Sequence, residues 1–312
     1  MVLAVAEAIL AMRHWRPVLR YLRTHKRFPR LAVPRTYAER MLWRKLVDHN
    51  PQFVVMCDKL DCKEHVKRTC PDLAVPATLW VGDDANDIPG ELLQGDVLVK
   101  TNHAYKQNYA IRNGMVDRAD LKKKTDVWLA SRHGLRDHEW AYGCVKPRLF
   151  VERSIGKAEE DLLEFNIRAS NGQPLLGSVI GHNKLPNQWT VYLDLRGRPT
   201  WGPSSPPDEP ATELPRGLDV SEPYQQALAY ASKLSRGIDY ARFDFMWNGK
   251  TLYAGEITIY PSGGNKEIGH PQARRLITEG WRIESSGFLS RQPNGLSARL
   301  YAGALRRRLR QS

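Results

Sequence analysis

Hydrophobic positions in the chain follow two periods. Near the N-terminus Val2, Val5, Ile9 and Met12, then Val18, Leu19 and Leu22, recur at helical spacing. "PRTYAERMLWRKLVDHN" and "DKLDCKEHVKRTC", within residues 34–74, read as helices, with Pro34 suited to a start and Pro51 and Pro71 as interruptions. "VPATLWV" and "GDVLVKTN" are β-type runs separated by an acidic, turn-rich stretch. "RADLKKKTDVWLASRHG" is predicted helical, with Gly134 as its C-cap, and "PRLFVERSI" is predicted as a strand. Further on the period falls to two. Hairpins are expected around Asn171-Gly172, within "QWTVYLDLRGRPTW", and around Asn248-Gly249, between "DYARFDFMW" and "TLYAGEITIY". The proline-rich "GPSSPPDEPATELPRG" is loop or lid, and "EPYQQALAYASKLSRG" is a helix closed by Gly237. This pattern predicts an α+β chain with several antiparallel hairpins and no internal repeat.

Composition adds bounds. The 312 residues are 42% hydrophobic and 26% charged, enough for a sizeable core and two or three subdomains. No run reaches the roughly 20 apolar residues of a spanning helix. "MVLAVAEAILAM" is short, holds Glu7 and lacks the positive start of a secretory signal. Cys57, Cys62, Cys70 and Cys144 form no CxxC pair and read as reduced cytosolic thiols. The net charge of +13 sits at the ends: residues 1–30 carry seven Lys/Arg against Glu7 alone, and six arginines follow Glu284 with no acid. The basic N-terminal helix either docks on an anionic membrane face or acidic polymer, or is a solvated helix packed on the body. No nucleic-acid recognition motif accompanies the charge, so nucleic acid is not expected as a partner.

Candidate chemistry gathers in "ARFDFMWNGKTLYAGEITIYPSGG". Alternation places Arg242 and Asp244 on one face of a strand, and Glu256 and Thr258 on one face of its antiparallel neighbour. Two carboxylates buried side by side repel and lose hydration. A divalent cation would remove both costs, and hard oxygen ligands completed by phosphate and water suit Mg²⁺. Arg242 would then meet phosphate oxygens. The plainer alternative is an Arg–carboxylate cluster at a strand edge. Lys100, at the end of "DVLVK", is placed to hold a phosphate or to reach solvent. Asp58-Lys59 begins a helix 41 residues upstream, and Glu152 follows a strand where backbone groups could meet an adenine edge.

In this order the pieces resemble the ATP-grasp superfamily: Asp58-Lys59, Val75-Pro76, "VLVK", "FVERSI", then "RFD…GEIT…P". The closer likeness is to its TupA-like branch, named for teichuronopeptide biosynthesis. It is carried by "PRTYAERMLWRKLVDHNP", by Lys100-x-Asn102-His103, by Glu139-Trp140-x-Tyr142 with Lys146-Pro147-Arg148, and by Gly255 to Pro261. The resemblance runs from about residue 30 to 270. It implies an ATP-grasp fold that holds nucleotide between two α+β subdomains, here with an added N-terminal helical segment. The implied divisions are 1–50 basic and helical, 51–98 α/β, 99–155 lid, 156–275 metal-bearing, and 276–312 a basic tail.

By resemblance Lys59 and Lys100 hold ATP phosphates, and the backbone of Glu152, Arg153, Ser154 and Ile155 faces adenine. Glu159 reaches a ribose. Asp244 and Glu256, with Thr258 beside them, hold one or two Mg²⁺ ions. Arg242 lies near the transferred phosphoryl group, and His103 contacts phosphate or donates a proton, unless it is structural. Two stretches depart from the branch. "NHAYKQN" lacks the usual glycines, with Lys106 in their place, and Glu164-Phe165-Asn166 replaces a D-Y-K pattern. His182 is unassigned, and Trp189, Trp201 and the proline-rich loop read as either an acceptor platform or packing.

The expected activity is an ATP-dependent carboxylate–amine ligase working through an acyl phosphate. It would join an amino compound to a uronic-acid carboxyl of a surface polysaccharide or its precursor. The alternatives are a kinase acting on a sugar hydroxyl and a non-catalytic nucleotide-binding scaffold. Expected partners are ATP, an anionic sugar or polysaccharide acceptor and, through the basic ends, a membrane or lipid-linked precursor. The expected location is cytoplasmic, peripheral at the inner membrane face.

Overall fold

A computed structural model describes every residue except Arg136, residues 157–161, Lys184 and Ser312; the expectation for Glu159 lies outside the described residues. The N-terminal part holds helices α1 (Val2–Arg13), α2 (Trp15–His25), α3 (Tyr37–Leu46), α4 (Gln52–Cys57) and α5 (Lys59–Thr69). Next come strands β1 (Thr78–Gly82), β2 (Val97–Thr101) and β3 (Asn108–Ile111), helices α6 (Arg118–Ala130) and α7 (Trp140–Gly143), and strand β4 (Leu149–Arg153). Strands β5 (Leu163–Ser170), β6 (Gln173–Gly181), β7 (Trp189–Leu193) and β8 (Pro199–Thr200) lead to helix α8 (Ser221–Leu234). Then follow β9 (Ala241–Trp247), β10 (Leu252–Thr258), α9 (Pro271–Gly280), α10 (Gly287–Ser290) and α11 (Leu296–Leu309).

Among the described residues the strands form two antiparallel sheets. The smaller runs β1-β4-β2-β3 and the larger β10-β9-β5-β6-β7-β8. In the small sheet Val97, Val99, Leu149 and Val151 face Leu121 of α6 and form a core of their own. In the large sheet Phe165, Ile167, Phe243 and Phe245 point to the main core, where Phe165 meets Tyr224 of α8. Alternation then forces Glu164, Asn166, Arg168, Arg242 and Asp244 onto the opposite face. Gly177 permits the α8 contact, since a Cβ there would lie 2.2 Å from the Tyr224 hydroxyl. The β5–β6 turn uses Asn171 and Gly172 at positive φ, as their sequence predicts.

Helix starts also follow their signals. Thr36 and Glu39 form a reciprocal capping box at α3, and Asp58 caps α5 through the N–H groups of Leu60 and Asp61. Four expectations need correction. Helix α6 ends at Ala130 with Ser131 as its C-cap, so Gly134 belongs to the next turn, where its carbonyl accepts the Glu139 N–H at 2.8 Å. The expected boundary at 98–99 cuts through β2, whose ladders to β3 and β4 are continuous. The expected tail at 276–312 is folded: Ile283, Leu289, Tyr301 and Leu305 form a buried cluster with Trp43. The N-terminal helix is broken at His14, and Leu3, Ala6, Leu10 and Ala11 of α1 pack inward, while Val5, Ile9 and Met12 face out. Among the described residues no helix is long and apolar enough to cross a membrane.

Candidate functional site

The polar face of the large sheet carries the quoted carboxylate. Arg242 Nε and Nη2 donate to Asp244 Oδ1 and Oδ2, each at 2.7 Å, a bidentate pair. Thr258 Oγ1 stands 3.4 Å from Asp244 Oδ2 and from Arg242 Nη2. Asp244 is buried. Asn166 is its cross-strand partner on β5, and its amide donates to Glu164 Oε1 at 2.7 Å.

Glu256 departs from the expected pair of buried carboxylates. The β9–β10 ladder slips between Ala254 and Ile257, so Gly255 and Glu256 together face Asp244. This bulge redirects Glu256. It requires glycine at 255, where a Cβ would lie 2.7 Å from the Asp244 carbonyl oxygen. The Glu256 side chain is 50% exposed and meets Lys59 Nζ at 3.4 Å. Solvent therefore reaches the carboxylate. Burial raises its pKa, and Lys59 and Lys100 overcome that effect and hold it below the ordinary value.

Lysines line the facing wall. Lys59 opens α5; its N–H reaches the Asn102 carbonyl, and its ammonium group donates to the carbonyls of Thr101 and Ala104. Burial lowers the Lys59 pKa, with Lys100 adding to the effect and Glu256 opposing it. Lys100 Nζ lies 2.5 Å from Glu152 Oε1, and Lys63 pairs with the other oxygen of the same carboxylate. Burial raises Glu152; Lys100 and Lys63 outweigh it and keep the carboxyl below its ordinary pKa. The Glu152 side chain therefore turns to the lysines. Beyond it the Arg153 and Ser154 N–H groups are bonded to Ala77 and Asp96, and the Ile155 carbonyl accepts Asn248 Nδ2, tying the two sheets together.

Asn102 is the hub behind Lys59. Its amide donates to Asp58 Oδ2 and the Lys146 carbonyl, and its Oδ1 accepts the Arg148 N–H at 2.7 Å. His103, expected either to act on phosphate or to be structural, follows Asn102 in the loop after β2. The ring is buried, with Nε2 3.2 Å from the Ser131 carbonyl oxygen. Burial lowers its pKa, which keeps it neutral near pH 7. The loop after β2 folds His103 inward, where Nδ1 is buried with no hydrogen-bond partner among the described residues. Trp201 stacks on His270 at 5.0 Å and donates to the Glu209 carbonyl, while Trp189 fills the space above Gly181. Both tryptophans are half-buried.

Magnesium fits the carboxylates. Burial pushes the Asp244 carboxyl up to about 6, opposed by Arg242 but reinforced by Glu164 and Glu256. Arg242 in turn is held charged by Asp244, against burial. No group of three His, Cys, Asp or Glu residues among the described residues could cage an ion. Two protein carboxylates with remaining positions left to water and phosphate suit Mg²⁺.

Sequence reading missed Lys63 and Arg168, and met Glu164 only as part of the departure from the D-Y-K pattern. Lys63 lies one helical turn after Lys59, and Arg168 is two residues after Asn166 on the same face, so both periods held the signal. Arg168 is the cross-strand partner of Arg242. Its Nη1 is buried with no hydrogen-bond partner among the described residues, and its guanidinium carbon lies 5.8 Å from the Tyr192 ring centre. Like charges set opposite each other are unfavourable unless an anion joins them.

Comparison with known proteins gives the following. No curated protein matches the chain. Among solved structures, D-alanine–D-alanine ligase from Bacillus anthracis complexed with ATP is 16% identical, with 82% of this chain and 68% of that one covered and a TM-score of 0.39. The ATP-grasp ligase PsnB complexed with a minimal precursor is 13% identical, with 78% and 69% covered and a TM-score of 0.38. D-alanine–D-alanine ligase from Helicobacter pylori is 12% identical, with 73% and 62% covered and a TM-score of 0.43. None of these scores reaches 0.5, and the assignment rests instead on the family match. Residues 39–276 match the family described as TupA-like ATPgrasp. Most of the length is covered, and the chain belongs to the TupA-like ATP-grasp family.

Proposed function

We propose that this protein is an ATP-dependent carboxylate–amine ligase. The observation that carries the reading is the facing of two walls: Lys59 on the helical side meets Glu256 at 3.4 Å, beside the Arg242–Asp244 pair. A triphosphate placed there would find ammonium groups on one side and carboxylates on the other. Lys59 and Lys100 bind phosphate oxygens, and the Glu152 carboxylate sets the position of Lys100. Mg²⁺ held by Asp244 and Glu256, with Thr258 beside them, would reduce the charge on the triphosphate. Arg242 serves the phosphoryl group as charge spreads over its oxygens, a preorganised electrostatic role.

The acceptor carboxylate attacks the γ-phosphorus and ADP leaves. An amine then attacks the acyl carbon, phosphate departs, and the amine loses a proton. ATP, acid and amine become ADP, phosphate and amide. Arg168, opposite Arg242 with a buried unpaired N–H, is suited to the acceptor's anionic group. Together with the branch's link to teichuronopeptide biosynthesis, this supports a uronic-acid acceptor in a surface polysaccharide or its precursor.

The test incubates the protein with Mg²⁺, ATP, uronic acids and pooled amines, followed by phosphorus NMR and mass analysis. ADP and phosphate should form only when acid and amine are both present, and the product should gain no phosphorus. A phosphorylated sugar would replace the ligase with a kinase. No turnover with any pair, alongside tight nucleotide binding, would leave the scaffold.

A further inference from the structure

Helix α1 is apolar on both faces. Leu3, Ala6 and Leu10 pack against the cluster that includes Tyr301 and Leu305 of α11. Its single acid, Glu7, accepts the N–H groups of Leu31 and Ala32 at 2.9 and 2.7 Å. The outer face is also apolar: Ala4 and Ala8 are exposed, as are Val5 (52%), Ile9 (49%) and Met12 (70%), and Trp15 continues it at 57%. The twelve-residue helix is about 18 Å long. A helix apolar all round is ordinarily covered on all sides, and a contiguous exposed apolar strip marks a docking face.

Charge selects what covers it. Arg13 and Arg16 follow the strip directly, with Arg23 and Lys26 beyond, all exposed and in no ion pair among the described residues. The Arg16 guanidinium lies 5.2 Å from the Trp15 ring centre. Helix α11 carries exposed Arg307 and Arg310, and no acid follows Glu284. A second copy packed with its α1 parallel would bring arginines toward arginines, and packed antiparallel would set them beside a helix start whose one acid, Glu7, is already occupied. We infer that α1 with the start of α2 is a docking face for a lipid bilayer bearing anionic headgroups. Val5, Ile9 and Met12 enter the acyl boundary, Trp15 lies at headgroup level, and Arg13 and Arg16 meet lipid phosphates.

Co-sedimentation of the full chain with vesicles tests this, using phosphatidylcholine alone and phosphatidylcholine mixed with an equal part of phosphatidylglycerol. Binding is expected to the anionic vesicles only, and to weaken as salt is raised. Ile9→Asp with Met12→Asp should lower the apparent affinity about ten-fold or more. Arg13→Gln and Arg16→Gln should each lower it roughly five-fold. Circular dichroism and melting show whether the aspartate variant folds; if it does not, the arginine variants and the salt dependence decide. Absent binding, binding indifferent to these variants or to lipid charge, or a wild-type dimer that Ile9→Asp/Met12→Asp dissociates would each overturn the inference. The assay contains no nucleotide, so its failure and the failure of the ligase reading are separate results.

Discussion

Replacing Asp244 by asparagine removes a charge while keeping the side-chain shape. The buried carboxyl is raised from 3.8 to about 6 even with Arg242 pulling it down, so its ionised form near pH 7 costs about 3 kcal/mol net of that pair. Asparagine relieves this cost and keeps one acceptor for Arg242, so the unliganded variant should melt no lower than the wild type. The liganded state should differ. Mg·ADP at a hundred times its Kd stabilises a protein by about 2.7 kcal/mol, roughly 5 °C for a chain of 312 residues. That shift should vanish in the variant. Melting curves with and without Mg·ADP measure both quantities. A full ligand shift in Asp244→Asn, or an unliganded variant that melts clearly below the wild type, would refute the reasoning that this carboxylate serves metal-bound nucleotide more than the fold.

Other consequences are independent of that one. Arg168→Met should raise the KM for an anionic acceptor about ten-fold or more, as expected for loss of a charge-assisted hydrogen bond, and leave ADP affinity unchanged; an equal loss of both in steady-state and binding measurements contradicts its placement. Burial pushes Glu139 up to about 7, with Lys45 opposing and Asp137 adding. Its ionised form therefore weighs against the fold above pH 7, and Glu139→Gln should stabilise the protein at pH 8 by up to about 3 kcal/mol, an advantage that fades between about 7 and 4.5. Urea unfolding at several pH values reads this, and a destabilised variant at pH 8 counts against it. Glu152 behaves oppositely: lysines lower its pKa, so its contribution is present above the ordinary carboxyl range and lost as pH falls below 4.5. Glu152→Gln should cost about 3 kcal/mol at neutral pH, and a variant as stable as wild type would show that Lys63 and Lys100 do not depend on it.

What the sequence disclosed was mostly local. Asn171-Gly172 and Asn248-Gly249 set two hairpins because only a few residues tolerate positive φ, and alternation then placed Arg242 and Asp244 on one face. Alternation failed one strand later: the extra residue at Gly255–Glu256 answers to backbone packing against Asp244, and no side-chain pattern announces it. Helical spacing found the right period in α1 and the wrong face, because Val5, Ile9 and Met12 repeat as regularly as the inward Leu3, Ala6 and Leu10. The arginine-rich C-terminus looked like a tail, yet Tyr301 and Leu305 tie it to Trp43, a contact across the whole chain. The Lys63–Glu152–Lys100 bridge likewise joins a helix to two strands far apart in sequence.

The most direct measurement is an experimental structure of the protein with Mg²⁺ and a non-hydrolysable ATP analogue. The account predicts a metal between Asp244 and Glu256, with the terminal phosphates reaching Lys59 and Lys100. A metal bound elsewhere, or phosphates that touch neither lysine, would contradict it.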